Sequence, residues 1–191
     1  KCTFGQFIIT PMCYAMMNGS IDVIKWLWSR GFEMTEVSLL FACLYGQYEA
    51  FKFAIENTEP EDYLDEIIDD LFYAVALNGE DRIFSYLLQY SKPSDPIKLA
   101  IAIGDNGNIN CLKLLLITFP SDNDVANEAF LAACRYGHLD IVLYLMNLSI
   151  SIYPIGRKGE VTPLVYAVGG NFYELAKMLI EHGYVNGVKS L

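Results

Sequence analysis

The chain has 191 residues, 53% apolar and 14% aromatic but only 19% charged, which suits one or two domains with a real core and not a disordered chain. Net charge is −10 and the 13 Lys and Arg form no stripe, which argues against a nucleic-acid phosphate surface and against an anionic membrane face. No apolar run reaches the roughly 18 residues that a spanning helix needs, and no secretory signal opens the chain.

Five cysteines (Cys2, Cys13, Cys43, Cys111 and Cys134) make an odd, scattered set. That is the pattern of reduced thiols and points to a cytoplasmic, reducing setting. A chain that opens on Lys1 and stops close to a repeat edge, with no polar cap at either end, is expected to be part of a longer one.

Along the chain, apolar spacing predicts a helix, a tight break at an anchor residue and a second helix, six times over. The copies are "YAMMNGSIDVIKWL" around Gly19, "FACLYGQYEAFKFA" around Gly46 and "AVALNGEDRIFSYL" around Gly79. Then come "IGDNGNINCLKLLL" around Gly107, "AACRYGHLDIVLYL" around Gly137 and "YAVGGNFYELAKML" around Asn171. Each is one supersecondary unit that buries its apolar face only against its neighbours.

In the first copy, Ile21, Val23, Ile24, Trp26 and Leu27 are expected on the core face, with Trp28 placed to cover a further upstream repeat. Ala15, Ala42, Ala133 and Ala167, four residues before their anchors, let one helix press on the next. Three residues past the anchor an acid recurs (Asp22, Glu49, Asp140, Glu174), in a first helical turn where the helix dipole favours it. The anchor glycine can take the left-handed conformation that ends one helix before the next begins.

Between the second and third copies, Glu56, Glu59, Glu61, Asp62, Asp65, Glu66, Asp69 and Asp70 read as a solvated loop and helix start. The fourth copy reads as carrying an extra residue near Ile103-Gly104, with Gly104-Asp105-Asn106-Gly107 as an inter-helix turn. In the fifth copy, Leu139, Ile141, Val142, Tyr144 and Leu145 repeat the apolar face of the first. Before the sixth, Gly156-Arg157-Lys158-Gly159 reads as a finger loop.

The first copy begins "TPMCYA" at Thr10 and the last "TPLVYA" at Thr162, each a capping Thr followed by Pro at the first helical position. With Gly137-His138-Leu139-Asp140-Ile141-Val142, this resembles the ankyrin repeat, over about residues 8 to 190. The resemblance implies an all-α ankyrin-repeat solenoid of about six helix-turn-helix repeats, one domain over 1–191. The repeats fall at roughly 8–32, 33–59, 66–92, 95–120, 124–150 and 158–185. The copies depart from the family in places. Cys13 and Val165 replace the signature histidine, the middle copies lack Thr-Pro, and Asn171 replaces the anchor glycine.

Chemistry is sparse. No C-x-x-C or paired histidine offers metal ligands, so neither a metal nor another cofactor is expected. His138 falls on the family's structural G-H position, and His182 near a helix end where a cation suits the dipole. The cysteines lie within helical patterns and read as small core hydrophobes. Neither glycine-bearing loop matches a nucleotide fingerprint. No enzyme is expected.

The resemblance implies binding along a concave face, on inner-helix ends and the fingers before them. At those ends Leu44, Tyr45, Leu77, Asn78, Arg135 and Tyr136 are the candidates, with Glu36, Glu66, Asp69 and Asp124 as finger acids. An apolar, aromatic strip edged by acids suits a protein partner with a basic or apolar segment. The expected function is protein binding without catalysis. The alternatives are a pathogen or viral segment engaging host proteins, and a regulatory or spacer segment of a larger enzyme.

Overall fold

The computed structural model describes residues 9–58, 61–120, 122–148 and 162–184. The Gly156–Gly159 loop and Cys2 lie outside them, as do Glu59 and the side chains of Glu61 and Asp62. Every regular element among the described residues is an α-helix, in two compact units, residues 1–93 and 94–191.

In the first unit the helices are α1 (Pro11–Asn18), α2 (Ile21–Ser29), α3 (Glu36–Leu44), α4 (Tyr48–Asn57), α5 (Glu61–Asn78) and α6 (Asp81–Tyr90). Successive helices pair, α1 with α2, α3 with α4 and α5 with α6. The first members then pack in series, α1 on α3 and α3 on α5, and the second members do the same. The core is aromatic: Phe51, Phe72 and Phe84 are fully buried, and Phe72 meets Phe84 edge-on at 5.4 Å.

The second unit repeats the plan with α7 (Pro96–Asn106), α8 (Ile109–Thr118), α9 (Asn123–Tyr136), α10 (Leu139–Asn147), α11 (Pro163–Gly169) and α12 (Tyr173–Glu181). Here α9 packs between α7 and α11. Its alanines and Phe130 are buried, and Phe130 lies 5.7 Å from the Tyr184 ring.

Helix starts use more than the Thr-Pro pair. Thr10 and Thr162 cap α1 and α11, each accepting a backbone N–H at 3.4 Å. Asp95-Pro96 does the same for α7, with Lys98 N–H donating to Asp95 Oδ1 at 2.9 Å. Asp122 caps α9, accepting from Asp124 and Val125. A capped proline start therefore persists in the fourth copy, where Thr-Pro is missing.

The anchors close the inner helices as expected. Gly107 and Gly137 take φ of 75° and 81°, and Asn171 follows them at 59°, a conformation that Asn tolerates better than most residues. Each of these glycines also faces the next copy. A Cβ on Gly107 would stand 2.5 Å from His138 Nδ1, and one on Gly137 would stand 2.5 Å from the Phe172 ring.

Three expectations are corrected. α7 runs unbroken to Asn106, and Gly107 N–H bonds Ile103 O as Gly137 N–H bonds Ala133 O, so the fourth copy carries no extra residue. Gly104 belongs to that helix and not to a turn. Its missing Cβ lets α9 approach, because a methyl there would meet Ala129 O at 2.6 Å and Ala132 Cβ at 2.7 Å. On α2 only Ile24 and Leu27 are fully in the core. Val23 is 47% and Trp26 56% exposed, the apolar stripe being narrower than the run of apolar residues.

Candidate protein-binding surface

In the first unit the inner-helix ends bring Leu44, Tyr45, Leu77 and Asn78 together. Leu44, Tyr45 and Leu77 are 37%, 50% and 53% exposed, large apolar surface at the helix ends. Tyr45 stacks on Phe41 of its own helix, rings parallel within 5° and 6.1 Å apart, which holds it in one orientation. Asn78 differs from its neighbours. Its amide donates to Cys43 O across the α3–α5 contact and its oxygen accepts from Glu80 N–H at 2.8 Å, so it latches two repeats together.

The acids are dispersed. Glu36 opens α3, at the far end of that helix from Leu44, and is exposed. Glu66 and Asp69, expected on a finger, lie inside α5, because that helix begins at residue 61. Glu66 is exposed and Asp69 half-buried.

The second unit places Arg135 and Tyr136 side by side at the end of α9, with exposed Asp124 in the first turn of the same helix. Tyr136 is 53% exposed. Arg135 is held from both sides: Nη1 lies 3.6 Å from Asp105 Oδ1 on α7, and the guanidinium lies over the Tyr166 ring of α11 at 5.1 Å. Asp105 sits partly beneath this cation. Its Oδ1 is buried and makes no hydrogen bond, and burial raises its carboxyl above the ordinary value while Arg135 and His138 pull it back.

Sequence reasoning missed the Asp105–Arg135 pair. Its signal was opposite charge at one register, two residues before the anchor, in consecutive copies. His138 takes the structural place expected of it, Nε2–H donating to Asp105 O at 2.9 Å. His182 Nδ1–H bonds Met178 O at 2.8 Å on the last turn of α12.

Reactive chemistry finds little support in the same geometry. Cys43 is fully buried, and burial pushes its thiol far above the ordinary 9.0. The Cys134 thiol is pushed up to about 12 by the same cause. The thiolate that a nucleophile requires is therefore disfavoured at both. Among the described residues no group of three His, Cys, Asp or Glu side chains converges to hold a metal ion. No helix among them is long and apolar enough to cross a membrane.

Residues 97–190 match the family described as ankyrin repeats, three copies. Over these residues the chain carries ankyrin repeats. It is similar to an ankyrin repeat protein of Acanthamoeba polyphaga mimivirus, 25% identical over 151 residues that cover 74% of this chain and 24% of that one. The chain thus spans about a quarter of the length of the curated relative it matches. Its structure is similar to the ankyrin repeat domain of human ASB11, with a TM-score of 0.70 and 20% identity over 95% of this chain and 86% of that chain. That similarity extends the ankyrin fold to the first unit, which lies outside the matched family segment. Ankyrin repeats are in general protein-interaction modules and typically non-catalytic.

Proposed function

We propose that this ankyrin segment is a non-catalytic binding module that holds a protein partner on its inner-helix faces. Leu44, Tyr45 and Leu77 are the apolar contacts of the first unit, Asn78 ties α5 to α3 beside them, and Glu36, Glu66 and Asp69 are acids toward the other ends of the same helices. In the second unit Arg135 and Tyr136 make the corresponding patch, with Asp124 at the other end of their helix. The observation that carries this reading is the exposure of Leu44, Tyr45, Leu77 and Tyr136 where three inner-helix ends meet solvent. A partner with a basic or apolar segment fits such a surface, and neither nucleic acid nor membrane does, given the net charge of −10. A cytoplasmic setting suits thiols buried as small hydrophobes.

The test is capture of partners from cytosolic extract by the wild type and by a triple variant, Leu44→Ala, Tyr45→Ala and Leu77→Ala, checked for folding by circular dichroism. A partner held by the wild type and lost by the folded variant supports the reading; equal retention places the interface elsewhere. The similarity to a mimivirus protein favours a second reading, a segment of a larger viral protein that engages host proteins. Capture from host-cell extract alone, and not from unrelated cytosol, would select it.

A further inference from the structure

The first unit sorts its charge by helix. α1, α3 and α5 contain no Lys, Arg or His, whereas α5 holds Asp65, Glu66, Asp69 and Asp70 within six residues. All described cations of the unit (Lys25, Arg30, Lys52, Arg82 and Lys92) lie on α2, α4 and α6 or just after α2 and α6. These cations are already engaged. Lys25 lies over Phe53 and Arg30 over Trp26, Lys52 pairs with Glu56, and Arg82 sits between Glu80 and the Tyr48 ring. The inner-helix face is therefore apolar and acidic, with no cation of its own.

The acids have a defined place relative to the apolar patch. The Asn78 latch to Cys43 O sets the C-terminal ends of α3 and α5 side by side. α5 has 18 residues and α3 has 9, so the additional length projects at the N-terminal end, beyond the first turn of α3. Two buried residues and a hydrogen bond anchor this projection. Leu64 and Ile68 are buried, and Tyr90 Oη donates to Asp65 Oδ1 at 3.4 Å. At about 100° per residue, Glu66, Asp70 and Leu77 share a sector of about 40° on α5, and all three are exposed. The acids and the Leu77 end of the apolar patch thus lie on one stripe.

Helix energetics do not account for these acids. The dipole favours negative charge in the first turn, and residues 65–70 lie beyond it. Glu66–Asp70 and Asp65–Asp69 are like-charge pairs at i,i+4, a spacing that weakens a helix. Neither effect favours Glu66 and Asp70 where they stand.

We infer that this face docks an extended, bipartite segment of the protein partner: an apolar anchor on Leu44, Tyr45 and Leu77, and a Lys/Arg pair on Glu66 and Asp70. This rests on the interface reading above and adds the partner's chemistry and spacing. Glu66 and Leu77 are eleven residues apart, about 16 Å along the helix at 1.5 Å per residue. That distance is spanned by about five residues of extended chain.

The test uses the whole chain and a series of fluorescent peptides, read by polarisation. Each peptide joins a Trp-Leu anchor to an Arg-Lys pair through a Gly/Ser spacer of no residues, about five or about ten. A control peptide carries Glu-Glu in place of Arg-Lys. The protein variant is Glu66→Gln with Asp70→Asn, two exposed positions, with its thermal midpoint checked against the wild type. The five-residue spacer binds tightest, the double variant weakens it about tenfold and abolishes the spacer preference, and salt weakens the wild type more than the variant. Equal affinity across spacers, equal binding by the double variant, a Glu-Glu peptide that binds as well, or no binding by any peptide overturns the inference. If a partner is still captured through Leu44, Tyr45 and Leu77, such a result leaves the interface reading standing.

Discussion

Gly104 shows how one residue type serves two purposes that sequence does not separate. Glycine beside Asp-Asn-Gly has the composition of a turn, yet the constraint at 104 comes from α9, about 25 residues further on. Gly104→Ala should gain a few tenths to about 1 kcal/mol of helix propensity and lose more through overpacking. The expected net loss is about 1–2 kcal/mol in urea unfolding, and a neutral or stabilising result would mean that α9 yields easily.

The thiols give a second residue-scale prediction. Cys43 and Cys134 are protonated in the fold and titrate near 9.0 once exposed. Below that pH both states hold the proton, so these thiols add no pH dependence. Above it the unfolded chain deprotonates first, and stability falls by up to about 1.4 kcal/mol per pH unit for each thiol. For Cys134 the fall ends near its folded value of about 12. Tyr86 and Tyr184, raised by burial, add to the loss above their ordinary 10.0. Urea midpoints at about pH 8 and about pH 10.5 should differ accordingly. Equal midpoints would show that the thiols are not buried as described.

At the scale of elements, the inner-helix ends were legible and several starts were not. The anchors could be read because left-handed closure needs Gly or, at 171, Asn, and few other residues suffice. Starts vary because Thr, Asp and Glu can all cap, so the Asp95-Pro96 start escaped a search keyed to Thr-Pro. Asp95→Ala should cost about 1 kcal/mol, more than Thr162→Ala, since the Asp95 bond is 2.9 Å and that of Thr162 is 3.4 Å. Thermal midpoints of the two variants decide it, and a larger loss at Thr162 would reverse the ranking. The early start of α5 was hidden for a related reason. Acids at 59 to 70 read as a loop and helix start, and what makes residues 61 to 70 helical is the burial of Leu64 and Ile68 on their other side.

For the whole molecule, repeat period and charge were the two legible quantities. The net charge of −10 is carried by exposed carboxylates with few exposed basic partners, so self-repulsion opposes compaction. Raising NaCl from about 10 to about 150 mM shortens the Debye length from about 30 to about 8 Å and should raise the thermal midpoint by a few degrees. A falling midpoint would mean that ion pairs such as Arg135–Asp105 outweigh the repulsion. Of the candidate surface, the exposed apolar ends were legible from their register. The pairing of Arg135 with Asp105 and Tyr166 was not, because it depends on which neighbouring helix each side chain leans toward.

The empty places beside Gly107 and Gly137 carry a direction. Gly107 is covered by His138 and Gly137 by Phe172, in each case by the copy that follows in sequence. On the ribosome, the turn at 107 thus stays unsealed until residue 138 has left the exit tunnel, and that at 137 until residue 172 has. The dependence runs one way: loss of chain from the C-terminal end unseals a turn at 107 or 137 that loss from the N-terminal end would leave shut.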